Sequence, residues 1–195
     1  MSIDLEKIKE LREKTAVSIA ECKAALEETG GDIPKAIEVL RKRGIETASR
    51  KLQKETKNGI VAHYIHTNRR VGSLVVLHCE TDFVAENEEF LNLGRDLAMQ
   101  VVASNPKAIS PEEIATEELE KEKEIYREQL LKAGKPAEIV EKALEGKISK
   151  FKEENALLTQ PFIKDPGRKV NEIINEVIAK TGENIKIGRF IRFEV

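Results

Sequence analysis

Two runs of β-branched residues, separated by a short polar segment, constrain the fold of this 195-residue chain more than any other feature. Residues 60–66 and 71–79 flank Thr67-Asn68-Arg69-Arg70, an arrangement typical of a β-hairpin. Residues 184–195 alternate between apolar and polar positions and predict a third strand. Helical patterns fill the rest, so we expect an α+β fold with a three-stranded antiparallel sheet packed by helices. The apolar residues predicted to share one face of the third strand are Ile185, Ile187, Ile191, Phe193 and Val195.

The first third of the chain has the pattern of three short helices. Ser18 and Glu21 fit a capping box at the start of the second helix. Asp32 is placed to cap the third helix, which Gly44 is predicted to end. We therefore predict a three-helix domain over residues 1–45, a charged connector helix over 46–58, and an α+β core domain over 59–195.

Further helices are predicted between the hairpin and the last strand. Gly134 and Gly146 are each expected to end a helix, and residues 148–157 to form another. Two prolines within 160–167 predict a loop, and residues 169–180 predict the last helix. A long helix after the hairpin is predicted to have one apolar stripe, formed by Phe90, Leu93, Leu97 and Val101.

The charges nearly balance overall but are segregated along the chain. The net charge is −2, yet residues 41–57 carry five excess positive charges and residues 112–128 five excess negative charges. The basic block lacks interleaved aromatic residues, which favours a solvated charged helix over a nucleic-acid site. We therefore expect no direct binding to nucleic acid, although either block is able to steer a charged protein partner.

No pattern in the sequence matches a catalytic, metal or nucleotide site. Glycine-rich phosphate loops are absent, so we expect neither an enzyme nor a cofactor. His63, His66 and His78 lack metal-ligand spacing, and Cys22 and Cys79 fit small buried apolar residues. The sequence also has no signal peptide and no apolar run of bilayer length, which predicts a cytoplasmic protein without a membrane partner.

The segment 79–89 is the densest candidate site, because Phe83 and Val84 stand among five carboxylates. Two interpretations of Phe83 remain open. Its seven-residue spacing to Phe90 fits a buried helical stripe, with Thr81 or Asp82 as the helix cap. Alternatively, Phe83 is an exposed aromatic wedge whose approach to a partner is fixed by the Asp82 carboxylate.

Several short motifs, in their order and spacing, make residues 11–195 resemble bacterial translation elongation factor Ts. Each motif alone is weak, and their combination is specific. The motifs are Leu11-Arg12-Glu13-Lys14-Thr15, Glu21-Cys22-Lys23-Ala24-Ala25-Leu26, Gly31-Asp32-Ile33, Cys79-Glu80-Thr81-Asp82-Phe83-Val84-Ala85, Gln160-Pro161-Phe162 and Arg189-Phe190-Ile191-Arg192-Phe193-Glu194-Val195.

This resemblance implies a function and a set of contacts. The N-terminal domain is expected to be ubiquitin-associated-like and to dock on elongation factor Tu, with Leu11, Arg12 and Ile19 as contacts. The core is expected to carry a helical hairpin that meets the same partner. The segment Thr81-Asp82-Phe83-Val84 is expected to dislodge Mg²⁺ from the partner, so that GDP leaves. Family members usually have a Gly-rich stretch where this chain has Ala16-Val17-Ser18-Ile19-Ala20-Glu21, and Ile19 is the apolar contact that survives there.

The resemblance also bears on assembly. Longer family members carry two related core halves, whereas this chain has one copy of the pattern. A second copy of the chain is able to supply the other half, so we expect a homodimer that binds elongation factor Tu in its GDP-bound and nucleotide-free forms.

Overall fold

A computed structural model of the protein describes residues 4–15, 17–51, 54–134 and 136–195. It has the expected α+β architecture: three N-terminal helices, then a core in which helices pack on a three-stranded antiparallel sheet. The helices are α1 (Leu5–Thr15), α2 (Ile19–Glu28), α3 (Ile33–Lys51), α4 (Asp82–Ala85), α5 (Glu88–Ser104), α6 (Thr116–Lys132), α7 (Ala137–Asn155) and α8 (Val170–Thr181). The strands are β1 (Asn58–Ile65), β2 (Val71–Cys79), β3 (Pro161–Phe162), β4 (Asp165–Lys169) and β5 (Lys186–Glu194), with short 3₁₀ turns at Pro111–Glu113 and Leu157–Thr159.

The chain divides into two compact units that both take residues from the sheet strands. The first unit contains Met1–Val61, Val76–Gly94 and Glu172–Gly188, and the second contains Ala62–Val75, Arg95–Asn171 and Arg189–Val195. This division does not test the predicted domain boundaries at 45 and 58, which stay predictions.

The three N-terminal helices enclose a small apolar core of their own. At the start of α2 the Ser18 hydroxyl accepts a hydrogen bond from the Glu21 N–H at 3.3 Å and donates one to the Glu21 carboxylate at 2.7 Å. The chain turns after α2 through Gly30 and Gly31, whose φ angles of 63° and 84° favour glycine. The buried residues of this core are Ile8, Leu11, Cys22, Ala25, Leu26, Ala36 and Leu40.

The prediction that Gly44 ends the third helix is wrong, because α3 continues to Lys51. Gly44 is buried inside the helix, and a Cβ at this position would lie 3.3 Å from the Cβ of Ala179 in α8. Glycine therefore serves close helix packing here and not helix termination. Of the predicted connector, Leu52 and Gln53 lie outside the described residues, residues 54–57 are not helical, and β1 begins at Asn58.

The sheet has the order β1-β2-β5, with β2 in the centre. Buried side chains alternate along β2, where Ser73, Val75, Leu77 and Cys79 face inward. The predicted uniform face of the last strand is wrong, since Ile185 is buried but Ile191, Phe193 and Val195 are exposed. Two consecutive exposed residues, Gly188 and Arg189, break the alternation of β5, as an irregularity in the strand does.

Helices α6 and α7 pack together as the expected helical hairpin. Gly134, with φ 70°, follows α6 as predicted. Gly146 does not end a helix, because α7 runs through it between the buried side chains of Leu144 and Ile148. The cost of one glycine inside a helix, about 1 kcal/mol, is smaller than the stabilisation from two buried aliphatic side chains.

The predicted loop over 160–167 also contains structure that proline content did not indicate. Pro161–Phe162 and Asp165–Lys169 pair as a short antiparallel hairpin. The buried Gln100 amide anchors it, donating to the Pro161 carbonyl at 3.1 Å and accepting from the Ile163 N–H at 2.8 Å. Side-chain hydrogen bonds from a neighbouring helix therefore stabilise a hairpin too short to form alone.

Candidate functional site

The segment 81–84 forms a single helical turn at the end of β2, and Phe83 projects from it into solvent. Thr81 has extended backbone angles, and its hydroxyl oxygen accepts a hydrogen bond from the Val84 N–H at 3.4 Å, so it caps α4. The side chain of Phe83 is 84% exposed, whereas Val84 is buried. Phe83 therefore does not extend a buried stripe, and its role as a wedge toward a partner stays a prediction.

The seven-residue spacing between Phe83 and Phe90 does not continue one stripe, because two separate helices carry the two residues. Helix α4 ends at Ala85, and Asn87 interrupts the chain before α5 begins. The Asn87 side-chain oxygen accepts from the Glu89 N–H at 2.8 Å, which caps the new helix. A periodicity argument applies only within one helix, so it fails at this junction.

A carboxylate from the connection between α8 and β5 holds the start of this segment. One Glu183 oxygen accepts hydrogen bonds from the backbone N–H groups of Glu80 and Thr81, at 3.1 and 3.0 Å. The other oxygen accepts from the Thr81 hydroxyl at 2.6 Å. Hydrogen bonds to an ionised acceptor are about twice as strong as neutral ones, so they restrict the backbone strongly.

Glu80 makes the reciprocal contact with the segment that carries Glu183. Its carboxylate accepts from the Asn184 N–H at 2.7 Å and from the Lys54 ammonium at 3.0 Å. Asn58 donates to the Glu80 carbonyl at 2.8 Å, and Asn184 donates to the Lys54 carbonyl at 2.9 Å. Three chain segments, around residues 54–58, 80–81 and 183–184, are therefore joined by hydrogen bonds behind the exposed turn.

Cys79 lies directly behind the same turn as a buried free thiol. Its Sγ donates a hydrogen bond to the Thr81 carbonyl at 3.1 Å. Burial, followed by the negative charge of Glu183, raises the pKa of the Cys79 thiol to about 11. The thiol thus stays protonated at neutral pH and acts as a donor, in agreement with the expected small buried residue. Cys22 is also buried and free.

The three predicted contacts of the N-terminal domain have different environments. Leu11 is fully buried in the three-helix core and presents no surface to a partner. Arg12, the next residue on α1, is exposed. Ile19 begins α2 and is 56% exposed, so its apolar side chain is accessible to a partner. In the segment 16–21, where this chain departs from the usual family pattern, the structure describes residues 17–21, and Ala16 lies outside the described residues.

Two arginines of the basic block are paired with acidic residues. The Arg41 guanidinium lies 2.8 Å from the Glu172 carboxylate, and that of Arg43 lies 2.5 Å from Glu28. The side chains of residues 45–53 in this block lie outside those described. Within the described ranges, no cluster of three or more His, Cys, Asp or Glu residues is arranged to hold a metal ion, and no helix is long and apolar enough to cross a membrane.

Glu183 and Asn184, which help to hold the exposed turn, were not predicted as site residues, and Glu80 was counted only as one of the carboxylates of the segment 79–89. Glu183 is 102 residues from Thr81, so no local motif contains both. One signal was available, because β2 and β5 were both predicted as strands of one small antiparallel sheet. In neighbouring antiparallel strands, the residues after the end of one lie beside the residues before the start of the other.

Fold and site together present the exposed aromatic side chain of Phe83 on a turn that hydrogen bonds to Glu183 hold. The family model described as Elongation factor TS matches residues 5–195. The Elongation factor Ts of Thermodesulfovibrio yellowstonii is 52% identical over 195 residues, which is all of this chain and 97% of that protein. The Elongation factor Ts of Thermosipho melanesiensis is 53% identical over 99% of this chain and 98% of its own length. The chain therefore belongs to the elongation factor Ts family.

Proposed function

We propose that this protein is the guanine nucleotide exchange factor of elongation factor Tu in translation elongation. The observation that carries the proposal is the 84% exposure of Phe83 in a chain of this family. Burying an aromatic side chain is strongly favourable, so an exposed one on a firmly held turn is suited to a partner's pocket.

The proposed mechanism acts on the magnesium ion of the partner. Mg²⁺ bridges phosphate oxygens of the nucleotide and ligands of the GTPase, and it requires near-ideal octahedral geometry. Insertion of Phe83, with the Asp82 carboxylate beside it, displaces these ligands and weakens GDP binding. The factor itself makes and breaks no covalent bond. It accelerates release because it binds the open, nucleotide-free partner more tightly than the GDP-bound one.

The N-terminal domain supplies a second contact in this proposal. Arg12 and Ile19 are exposed on α1 and α2 and provide a charged and an apolar side chain for docking. Leu11 makes no contact with the partner in this proposal and stabilises the domain that carries this surface, since it is buried in the core of the same domain. The α6–α7 hairpin is proposed to meet the same partner.

The decisive experiment measures the release of fluorescently labelled GDP from elongation factor Tu, with unlabelled GDP in excess. The wild-type chain should accelerate release strongly, and Phe83→Ala should lose about 100-fold of the maximal rate, as expected for truncation of an aromatic side chain that anchors an interface. Phe83→Leu should lie between the two, because it retains part of the apolar volume. If the wild-type chain binds the partner without changing the release rate, it is a plain interaction module and the proposal is wrong.

Asp82 is tested separately from Phe83, since both lie in the same turn. Asp82→Ala should slow release less than Phe83→Ala if the aromatic ring carries most of the displacement. Glu112→Ala is a matched control, because it removes an exposed carboxylate from the turn at Pro111–Glu113, which belongs to the other unit. It should release GDP at the wild-type rate. Addition of excess Mg²⁺ should slow release with the wild-type factor, as expected if metal displacement is part of the mechanism.

We also propose that two copies of the chain form a homodimer. Four exposed apolar residues of the second unit support this, namely Ile65, Leu74, Phe193 and Val195. Contiguous exposed apolar patches of this kind mark association surfaces. Light scattering at micromolar concentration should give twice the 21.9 kDa chain mass, and Phe193→Glu should give the monomer. A strict monomer for the wild-type chain would exclude the homodimer without affecting the exchange proposal.

A further inference from the structure

Helix α4 is too short to fix its own orientation. It spans four residues, and an isolated helical turn is unstable in water because nucleation costs more than one hydrogen bond returns. The exposed ring of Phe83 adds no burial within the protein. The orientation of segment 81–84 must therefore come from the buried Val84 and from hydrogen bonds made by other parts of the chain.

Glu183 supplies the largest share of those hydrogen bonds. Its half-buried carboxylate accepts two backbone N–H bonds and one hydroxyl bond at the first residues of the turn, all at 3.1 Å or less. The reciprocal bond from the Asn184 N–H to Glu80, at 2.7 Å, ties the two segments together from the other side. Removing the Glu183 carboxylate leaves three donors without their acceptor, and the turn then samples other orientations.

We propose that Glu183 is a positioning residue for nucleotide exchange, whose carboxylate holds segment 81–84 so that Phe83 enters the partner in one orientation. This inference rests on the proposed exchange function and assigns the residue that makes it efficient. A preorganised turn costs less entropy on binding than a mobile one. The effect of Glu183 is therefore exerted through Phe83 and not by contact with the nucleotide.

The test compares Glu183→Ala, Glu183→Gln and wild type in the labelled-GDP release assay over a range of factor concentrations. Glu183→Ala should lower the maximal release rate about 10-fold, because a mobile turn must be ordered when Phe83 enters the complex that releases GDP. The half-saturating concentration should change little, because this cost falls on the releasing complex and not on the initial docking. Glu183→Gln should stay within about 3-fold of wild type, because its amide oxygen still accepts the two backbone hydrogen bonds. A general loss of folded protein would instead raise the half-saturating concentration and leave the maximal rate intact.

The double variant Phe83→Ala/Glu183→Ala separates positioning from an independent role. If Glu183 acts through Phe83, the double variant should release GDP within about 2-fold of Phe83→Ala alone. Fully additive losses would overturn the proposal. Asp96→Ala is the matched control, since Asp96 is a half-buried carboxylate paired with Lys164 at 2.5 Å and lies in the other unit. It should keep the wild-type maximal rate.

Hydrogen exchange on the free protein tests the structural step without the partner. The amides of Glu80 and Thr81 should exchange at least about 10-fold faster in Glu183→Ala than in wild type or Asp96→Ala. Unchanged protection, or a wild-type maximal rate in Glu183→Ala, would overturn the positioning role. If the wild-type chain itself fails to accelerate GDP release, the proposed function fails, and the exchange data still decide whether Glu183 holds the turn.

Discussion

Phe83 and Phe90 are seven residues apart in sequence but occupy opposite environments, with Phe83 84% exposed and Phe90 fully buried. The break at Asn87 between α4 and α5 causes the difference, because it rotates the two residues out of a common helical face. One phenylalanine contributes to the core, and the other is available to a partner.

This contrast predicts that the two phenylalanines have opposite effects on stability and exchange. Phe90→Ala should lower the free energy of unfolding by about 3–5 kcal/mol, since it leaves a cavity in the core. Phe83→Ala should change it by less than about 0.5 kcal/mol, as expected for a surface substitution. Urea unfolding followed by circular dichroism measures both. A large loss of stability in Phe83→Ala would mean that its effect on GDP release is not specific.

Thr81 should matter through its hydroxyl group, which both donates to Glu183 and accepts from the Val84 N–H. Thr81→Val keeps the shape but removes both bonds, so it should destabilise the protein by about 1–2 kcal/mol. It should also slow GDP release. Thr81→Ser retains the hydroxyl and should lie close to wild type in urea unfolding and in exchange. Equal behaviour of the Val and Ser variants would argue against a role for these bonds.

The parts of the fold that sequence reasoning predicted are those encoded by local patterns. The hairpin before Cys79, the stripe from Phe90 to Val101, and the helix end before Gly134 each depend on residues close in sequence. Gly44 shows the limit of such reasoning. Its neighbour Ala179 is 135 positions away, so the sequence alone did not reveal that glycine is needed for packing.

The candidate site was also predicted only where local patterns encode it. The segment 81–84 stood out from its composition, and the resemblance gave it a role, but its exposure depended on where one helix stops and the next begins. Such boundaries are the least predictable feature of a sequence, because they depend on single capping bonds such as that from the Glu89 N–H to Asn87. Glu183 was missed because its bonds to Glu80 and Thr81 form only when the sheet brings β2 and β5 together.

In the N-terminal domain, substitution of a buried residue should lower stability, whereas substitution of an exposed residue should weaken partner binding. Leu11→Ala should cost about 2–5 kcal/mol of stability, because Leu11 is fully buried between the three helices. Ile19→Ala should leave stability unchanged but weaken binding to nucleotide-free elongation factor Tu about 10-fold, as loss of an exposed apolar contact does. Calorimetric titration measures the affinity, and Arg12→Ala gives the contribution of the charged neighbour. Unchanged affinity in both surface variants would remove this face from the proposed interface.

Gly59 should be intolerant of any side chain, in contrast to Gly146. A Cβ at position 59 would lie 2.2 Å from the Leu77 carbonyl oxygen and 2.9 Å from the His78 Cα, both backbone atoms of the neighbouring strand. Gly59→Ala should therefore lower the free energy of unfolding by about 2–3 kcal/mol, through overpacking and displacement of β1. Gly146→Ala is the matched control: apart from its chain neighbours and the backbone of its own helix, no described atom lies within 4 Å of its Cβ position, and α7 should gain about 0.5–1 kcal/mol. The midpoint temperature of thermal unfolding should fall for Gly59→Ala and rise for Gly146→Ala.

The raised pKa of the Cys79 thiol predicts a loss of folding stability at alkaline pH. Its pKa is about 11 in the folded protein against an ordinary value of 9.0, so below pH 9 both folded and unfolded chains keep the proton. As the pH rises from about 9 to 11, the unfolded chain loses the proton first and is stabilised relative to the folded one, at a total cost of about 2 kcal/mol. The free energy of unfolding of the wild type should fall across this window more steeply than that of Cys79→Ala. Cys22→Ala retains Cys79 and should keep the steep fall, whereas an equally steep fall in Cys79→Ala would assign the pH dependence to other groups.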